Sequence, residues 1–364
     1  MKRLIFRLSS LGDLVLAQSA LESPHTGETH WIVAQEFAPL LEGHPKIRRV
    51  WTFDRRRNPG LKAWLRMLDV LFLEEFTEVL DLHSTLRTRV ARLYFIFKSL
   101  TSRRALPRWR TLSKERFRRL GYVLFKRYWP SILRPRHLSE KSAKLAGGSG
   151  KERPDLGWLV RGKSAFASRP EVETQIAGAV VVVGIAPSSA WPGKEWPVHH
   201  YCDLAAELEK LPLRYLPVIL GTASDRAAGT LRNALRLQGR TFVDLIGKQT
   251  LPEVAATLSR CDVVIGPDTG LLHIAEAVGT RVIAIYGPTR VDFGFGVSRE
   301  DSTAIHGPVG CSPCSKDGTL CHRFGDRYAC LRKLDAAEVL QAIKRVAQSK
   351  NSASKASLRE TGPA

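Results

Sequence analysis

At 364 residues the chain is long enough for two domains, each able to bury a core. Lys and Arg outnumber Asp and Glu by 56 to 35, a formal +21, while the 44% hydrophobic content is that of an ordinary globular protein. This balance favours anionic partners, namely nucleic acid, anionic lipid or phosphorylated substrates. No stretch reaches the ~18 uninterrupted apolar residues of a membrane span. A charge at Arg7 interrupts the apolar core that a signal peptide needs. The six cysteines are accordingly expected to be reduced thiols in the cytosol.

In chain order, Leu4 to Leu8 reads as a buried strand, followed by a turn and a helix from Leu14 to Leu21. Strands are predicted at 31–34, 50–53 and 79–82, with helical segments at 37–41 and 59–76. Between 101 and 163 the composition shifts, with 18 Lys or Arg against 4 acidic residues. Trp109, Phe117, Tyr122, Phe125, Tyr128 and Trp129 are interleaved with these bases. Thr111 to Tyr128 fits a basic amphipathic helix, which either lies on an anionic membrane or covers a sheet edge as a solvated helix. The flexible Gly147 to Gly150 follows, and the boundary between domains is predicted near residue 175.

The second half repeats strand and helix more regularly. Strands are predicted at 180–186, 215–220, 242–246, 262–265 and 281–286. Helices begin near His199, Ser224, Thr250 and Leu271, the third with a capping box, Thr250 to Glu253. A terminal helix from Leu334 to Val346 precedes a tail, 349–364, expected to be disordered. The fold class is therefore α/β, two Rossmann-like domains with parallel sheets. Residues 1–175 form the first domain, with its basic insert at about 101–163, and 176–348 form the second.

Three segments at strand-to-helix junctions carry chemistry. In Ser9-Ser10-Leu11-Gly12-Asp13, Gly12 allows a tight turn and the helix start attracts negative charge. Asp13 either accepts a proton from a substrate hydroxyl or merely caps the helix. Pro187 to Pro197 contains Ser188, Ser189 and Lys194, which suit an oxygen-rich anion such as a diphosphate but do not make a P-loop. Asp268-Thr269-Gly270 presents backbone N–H groups to a phosphate, and His273 adds a donor one turn on. A capped helix with an incidental histidine is the alternative.

Asp292-Phe293-Gly294 imitates a kinase tripeptide, but no Gly-rich or catalytic loop precedes it. No Asp-x-Asp occurs, so a leaving diphosphate would depend on Lys194 and helix N-termini. Cys311, Cys314, Cys321 and Cys330 form C-x2-C-x6-C-x8-C. The wide second spacing favours reduced structural thiols over a zinc site.

These segments, in this order, resemble the heptosyltransferase family, glycosyltransferase family 9, over most of residues 1–345. Asp268 to His273 with Tyr286-Gly287-Pro288-Thr289 looks like its nucleotide-sugar motif, and Ser9 to Asp13 like its acceptor-side motif. The resemblance implies the GT-B arrangement, with two Rossmann-like domains facing across a cleft, and an inverting transfer of heptose from ADP-heptose to a lipopolysaccharide core. It implies donor binding by Ser188, Ser189, Lys194, Asp268, Thr269, Gly270 and His273. Asp13 is then the base, and Ser9, Ser10, Gly12, Arg55, Arg56, Arg57 and Lys62 meet the anionic glycolipid acceptor. His83-Ser84-Thr85 stands where the family usually has Gln-Gly. No cofactor or nucleic-acid partner is expected, and the place of action is the cytosolic face of the inner membrane. Rival readings are transfer of another sugar on the same fold, or a non-catalytic protein that binds nucleic acid or lipopolysaccharide.

Overall fold

The computed structural model describes residues 1–54, 57, 60–161, 170–177, 181–315, 318–319 and 321–360. The chain forms two units, one of Met1–Arg116 with Arg136–Arg161, the other of Phe117–Pro135 with Gly162–Ala364.

The strands of the first unit are β1 (Lys2–Phe6), β2 (Glu28–Ala34), β3 (Arg49–Phe53), β4 (Glu78–Asp81) and β5 (Arg108–Thr111). They pair in parallel in the order β3-β2-β1-β4-β5. Crossovers between parallel strands put helices against the sheet. These are α1 (Leu11–Ala17), α2 (Leu61–Leu73) and α3 (Leu86–Ser102). Between β2 and β3 lies a 3-10 turn, Gln35–Leu40, with Pro39 inside it. Phe6, Trp64, Phe72 and Phe95 anchor the core on one face, where the Trp64 indole donates to the Arg87 carbonyl at 3.1 Å.

The basic insert does not form the single helix predicted for 111–128. Its start is β5, an edge strand whose Trp109 stacks on Phe6 at 5.7 Å between ring centroids. The alternation Arg-Trp-Arg-Thr is short, and pairing with β4 together with this packing holds it as a strand. Next comes α4 (Arg116–Phe125), which clusters with the second unit. The chain then returns to the first unit as α5 (Leu138–Ala146) and α6 (Gly157–Val160). Here α5 is tied down by Ser19 Oγ donating to the Ser139 carbonyl at 2.8 Å and Ser23 Oγ to that of Ala143 at 3.1 Å.

Besides α4, the second unit holds α7 (Pro170–Ala177) and β6 (Val181–Ile185), then α8 (Val198–Glu209), β7 (Tyr215–Ile219), α9 (Arg226–Leu237) and β8 (Val243–Asp244). It continues through α10 (Leu251–Leu258), β9 (Val263–Pro267), α11 (Gly270–Ala277), β10 (Arg281–Tyr286) and β11 (Thr303–His306). The six strands run parallel in the order β11-β10-β9-β6-β7-β8. Every residue of β6 and β9 is buried, as expected of strands covered on both faces. Trp196 and Tyr201 pack into this core, and the Trp196 indole donates to the Leu334 carbonyl at 2.8 Å. After α12 (Ala329–Arg332), α13 runs from Ala336 to Glu360, well past the helix predicted to stop near 346. No Gly or Pro interrupts 349–360, and Ala, Lys, Arg and Glu there are sound helix formers.

His44 joins the connection between β2 and β3 to α6. Its Nδ1 accepts the Lys46 backbone N–H at 3.0 Å, and its ring meets Trp158 edge-on at 4.9 Å. Burial pushes its pKa down to about 4, and Lys46 adds to the effect. A folded-state pKa below that of the unfolded chain means that the unfolded chain takes up the proton first as pH falls. His44 therefore contributes stability above about pH 6.5 that is lost as pH falls towards about 4. The urea midpoint is expected to be lower at pH 5 than at pH 7. In His44→Asn, which keeps an acceptor but does not titrate, part of that drop should disappear. An equal drop in both proteins would remove His44 as a contributor.

Candidate functional site

In each sheet the earliest strand lies inside and the chain adds strands first on one side, then on the other. The order reverses between β1 and β4 in the first unit and between β6 and β9 in the second. Open parallel sheets bind ligands outside the carboxyl ends of the strands at such reversals. In both units the chemistry-bearing residues collect there.

In the first unit the buried Arg7 follows β1, and its guanidinium pairs with Asp13 Oδ2 and donates to the Leu82 carbonyl. Burial lowers the Arg7 pKa, opposed by the charge and hydrogen bond of Asp13 and by the charge of Asp81. Asp81 ends β4, where its Oδ1 accepts the backbone N–H groups of His83 at 3.1 Å and Ser84 at 2.7 Å. Burial raises the pKa of Asp81, against these hydrogen bonds and Arg7. Thus His83-Ser84-Thr85 is a turn held by Asp81, and Thr85 is the N-cap of α3.

Ser10 is the N-cap of α1, with Asp13 at the third helical position. Asp13 Oδ2 accepts from Ser10 Oγ at 3.2 Å and from the Ser10 N–H at 3.5 Å. The capping role foreseen for Asp13 is therefore present, together with an ion pair to Arg7. These contacts all use Oδ2, and a quarter of the side chain is exposed. Gly12 does not make the turn expected of it. It is the second residue of α1, so Ser9 and Ser10 carry the chain from β1 into the helix.

Of the expected acceptor cations, Arg55 and Arg56 lie outside the described residues. Arg57 is exposed, donates its backbone N–H to Asp54 at 2.9 Å and holds its Nε 3.8 Å from the same carboxylate. Lys62 is exposed in the first turn of α2.

In the second unit the loop after β6 meets the loop after β9. Lys194 Nζ pairs with Asp268 Oδ2 at 2.7 Å, with about a tenth of each side chain exposed (10% and 13%). Ser189 Oγ donates to the Asp268 carbonyl at 3.3 Å, and its N–H donates to Glu195 at 3.0 Å. Ser188 Oγ instead accepts the Ala228 N–H at 3.3 Å, at the start of α9. Gly193 brings this loop against the chain near Gly318, because a Cβ at 193 would lie 2.1 Å from the Gly318 carbonyl oxygen.

Thr269 is the N-cap of α11, and its side chain makes no capping hydrogen bond. By contrast, α10 is closed by the Thr250–Glu253 box, with Thr250 N–H to Glu253 at 2.7 Å. The N–H groups of Gly270 and Leu271, at the first turn of α11, have no partner within the helix. His273 is buried on α11, and its Nδ1 has no hydrogen-bond partner. The structure thus gathers Ser189, Lys194 and Asp268 at the head of the helix that carries Gly270 and His273.

Tyr286 ends β10, and its hydroxyl pKa is raised well above the ordinary value by burial, then by the charges of Asp268 and Glu276. Glu276 accepts the N–H groups of Ser298 at 2.9 Å and Arg299 at 3.0 Å, which fixes the loop after β10. Cys311, Cys314, Cys321 and Cys330 are free thiols that line one small cavity with Pro288, His322 and Tyr328. Burial and the neighbouring thiols push Cys330 up to about 11. Cys314 donates its N–H to the Pro288 carbonyl at 3.0 Å, so this segment braces the Tyr286–Thr289 turn. Among the described residues, no three His, Cys, Asp or Glu side chains are grouped to hold a metal ion.

The sequence reading missed Arg7, Asp81, Glu195 and Glu276. A cation inside the apolar run Leu4 to Leu8 was the one visible signal. Glu195 accepts a backbone N–H from its own loop and Glu276 accepts two from the separate loop after β10, and no spacing reveals that.

Residues 152–323 match the family model described as "Glycosyltransferase family 9 (heptosyltransferase)". Lipooligosaccharide heptosyltransferase 2 of Haemophilus influenzae is 38% identical over 122 residues, 33% of this chain and 35% of that protein. The chain thus spans about a third of the length of that curated relative. Among solved structures, a glycosyl transferase family 9 protein from Veillonella parvula superposes with a TM-score of 0.70 at 18% identity, covering 96% of this chain and 97% of its own. The E. coli ADP-heptose lps heptosyltransferase II superposes at 0.69 and 20% identity, covering 96% and 100%. The two structures show the fold. The family match falls mostly in the second unit, and over these residues the chain is similar to glycosyltransferase family 9, the heptosyltransferase family.

Proposed function

We propose that this protein is an inverting glycosyltransferase that moves heptose from ADP-heptose to an anionic lipopolysaccharide-core glycolipid at the cytosolic face of the inner membrane. The observation that carries the donor half is the Lys194–Asp268 pair at the open head of α11. An ammonium has three donors, and Asp268 occupies one. The others, with the first N–H groups of α11, can meet the charge that gathers on a leaving diphosphate. Ser189 and His273 add polar contacts to the same ligand, and Ser188 lies at the start of α9. The similarity to a lipooligosaccharide heptosyltransferase and to the fold of an ADP-heptose lps heptosyltransferase supports heptose as the sugar and ADP as the carrier.

Asp13 is the general base in this reading. With Arg7 and Ser10 on Oδ2, Oδ1 is left to take the proton from the acceptor hydroxyl. The acceptor oxygen then attacks the anomeric carbon as the bond to the diphosphate breaks, and ADP leaves. Arg7 positions the carboxylate rather than touching substrate. Ser9, Ser10, Gly12, Arg57 and Lys62, with Arg55 and Arg56, remain the proposed acceptor-side residues.

Asp13→Asn keeps the cap but cannot take a proton. Turnover should fall by roughly 100-fold to 10,000-fold, the range of general base catalysis, while donor affinity measured by calorimetry stays within about twofold. Full turnover in this variant would remove Asp13 from the role. Titration of the wild type with ADP-heptose, UDP-N-acetylglucosamine and the bare diphosphates tests the donor. Selective binding of ADP-heptose is expected, and selective binding of a UDP-sugar would overturn heptose while leaving the fold intact.

Lys194→Met leaves Asp268 unpaired in a nearly closed site. The cost should be about 2 to 4 kcal/mol in urea unfolding, somewhat below that of orphaning a fully buried charge. Lys194→Met combined with Asp268→Leu should cost less than Lys194→Met alone, since no unpaired charge remains. If the double variant is the less stable one, the pair is not the structural contact described.

A further inference from the structure

The segment Phe117–Pro135 is amphipathic in an unusual sense, because much of its polar and charged side faces the protein. Tyr122 is buried and its hydroxyl donates to Asp292 at 3.1 Å, while Arg134 pairs with the same carboxylate at 2.8 Å. Arg119 lies over the Phe295 ring at 4.7 Å, and Arg118 donates to the carbonyls of Ile132 and Arg134. Asp292-Phe293-Gly294 is therefore an anchor for this segment. At Gly121 a Cβ would lie 2.3 Å from the Trp129 ring, and that ring stacks on Phe125 at 5.6 Å. The segment is a folded piece of the second unit.

Its apolar side faces outward. Phe117, Leu120 and Leu124 follow the i, i+3, i+7 pattern of one helix face and are 88%, 56% and 63% exposed. Phe125 at the end of α4, and Tyr128 and Ile132 beyond it, are also exposed. A helix that only covered a sheet edge would bury this stripe and expose its arginines. Contiguous exposed apolar side chains of this size mark a docking surface.

Charge selects the occupant. From Arg116 to Pro135 there are six Lys or Arg and no Asp or Glu. Arg116 and Arg127 are exposed beside the apolar stripe. Large apolar side chains flanked by exposed cations are the pattern of a helix lying in the headgroup region of an anionic bilayer. We propose that Phe117–Leu133 is the membrane-docking element of this protein, seated on anionic lipid through Phe117, Leu120, Leu124, Tyr128 and Ile132. The inference deepens the reading above, which needs a membrane-borne acceptor but does not say where the chain touches the membrane. It rests on that reading only for the choice of a lipid surface.

The test is sedimentation of the full chain with vesicles that contain no acceptor, either pure phosphatidylcholine or phosphatidylcholine with phosphatidylglycerol. Binding to the anionic vesicles is expected, weakening as salt rises. Leu120→Glu with Leu124→Glu should lower the partition coefficient at least tenfold, and Arg116→Ala with Arg127→Ala by roughly tenfold to thirtyfold, given about 1 kcal/mol per cation at the surface. All four side chains are exposed, so circular dichroism and donor affinity should not change. Three outcomes would overturn the proposal: no binding by the wild type, equal binding to both vesicle types, or leucine variants that still bind. A wild-type dimer that the leucine variants turn into monomers would also overturn it, by showing a second copy on this face. Donor titration is independent of vesicles, so failure here and failure of the transferase reading can be told apart.

Discussion

The constraint on which the rest depends is that a parallel sheet covered on both faces has no room for polar side chains along its strands. In β6 and β9 every residue is buried, and the flanking helices close over them. Polar chemistry is displaced to the strand ends, and of these the carboxyl ends receive helix N-termini. Where strand order reverses, two adjacent loops diverge and leave space for a ligand. Arg7, Asp13 and Asp81 occupy that place in one sheet, and Ser189, Lys194 and Asp268 occupy it in the other. The same topological rule thus acts twice on unlike sequences and gives two polar clusters of different character. One is built around a buried guanidinium, the other around an open helix head.

How these clusters are held separates structural from chemical roles. Asp81 is engaged by the turn at His83 and Ser84 and by the Thr88 hydroxyl, and Glu276 by the turn at Ser298 and Arg299. Both carboxylates satisfy part-buried backbone N–H groups of these turns. Asp13 and Lys194 differ, since each keeps unused valence after its structural contacts. Asp13 retains one oxygen, and Lys194 retains donors beyond the one given to Asp268. A pre-formed ion pair also fixes the ammonium before any substrate arrives, so little side-chain entropy remains to be lost on binding.

Much of this was legible in sequence because strand periodicity and turn chemistry are local. The apolar run at 180–186 and the Thr250–Glu253 box need no knowledge of the rest of the chain, and both appear in the structure as expected. Ser189, Lys194 and Asp268, proposed for the donor side, could be singled out because they sit within a few positions of a strand end. What was not legible depends on contacts distant in sequence. Trp109 helps hold β5 as a strand, beside its pairing with β4, by stacking on Phe6, more than a hundred residues away. Arg7 could be seen as an interruption but not as the partner of Asp13, because that pairing needs the turn at Ser9 and Ser10. The role of Gly12 was misread for a related reason: a glycine at a junction suggests a turn, yet the serines made it and the glycine entered the helix.

The net charge of +21 acquires a different meaning once the cations are placed. Counted along the sequence, the insert reads as a basic amphipathic helix, on an anionic membrane or over a sheet edge, and composition alone could not say which way it faces. In the structure Arg118, Arg119 and Arg134 are turned to carbonyls, an aromatic ring and Asp292, so part of that charge is invested in holding the segment down. A surface cation contributes to long-range attraction whichever way it faces, because screening in water acts over several ångströms rather than over one side chain. An apolar side chain contributes only where it is pointed. The orientation of α4 therefore changes little of the electrostatics but decides where the hydrophobic contact falls, on Phe117, Leu120 and Leu124 rather than on the protein's own sheet. Attraction to an anionic surface is a property of the composition, and the place of attachment is a property of the fold.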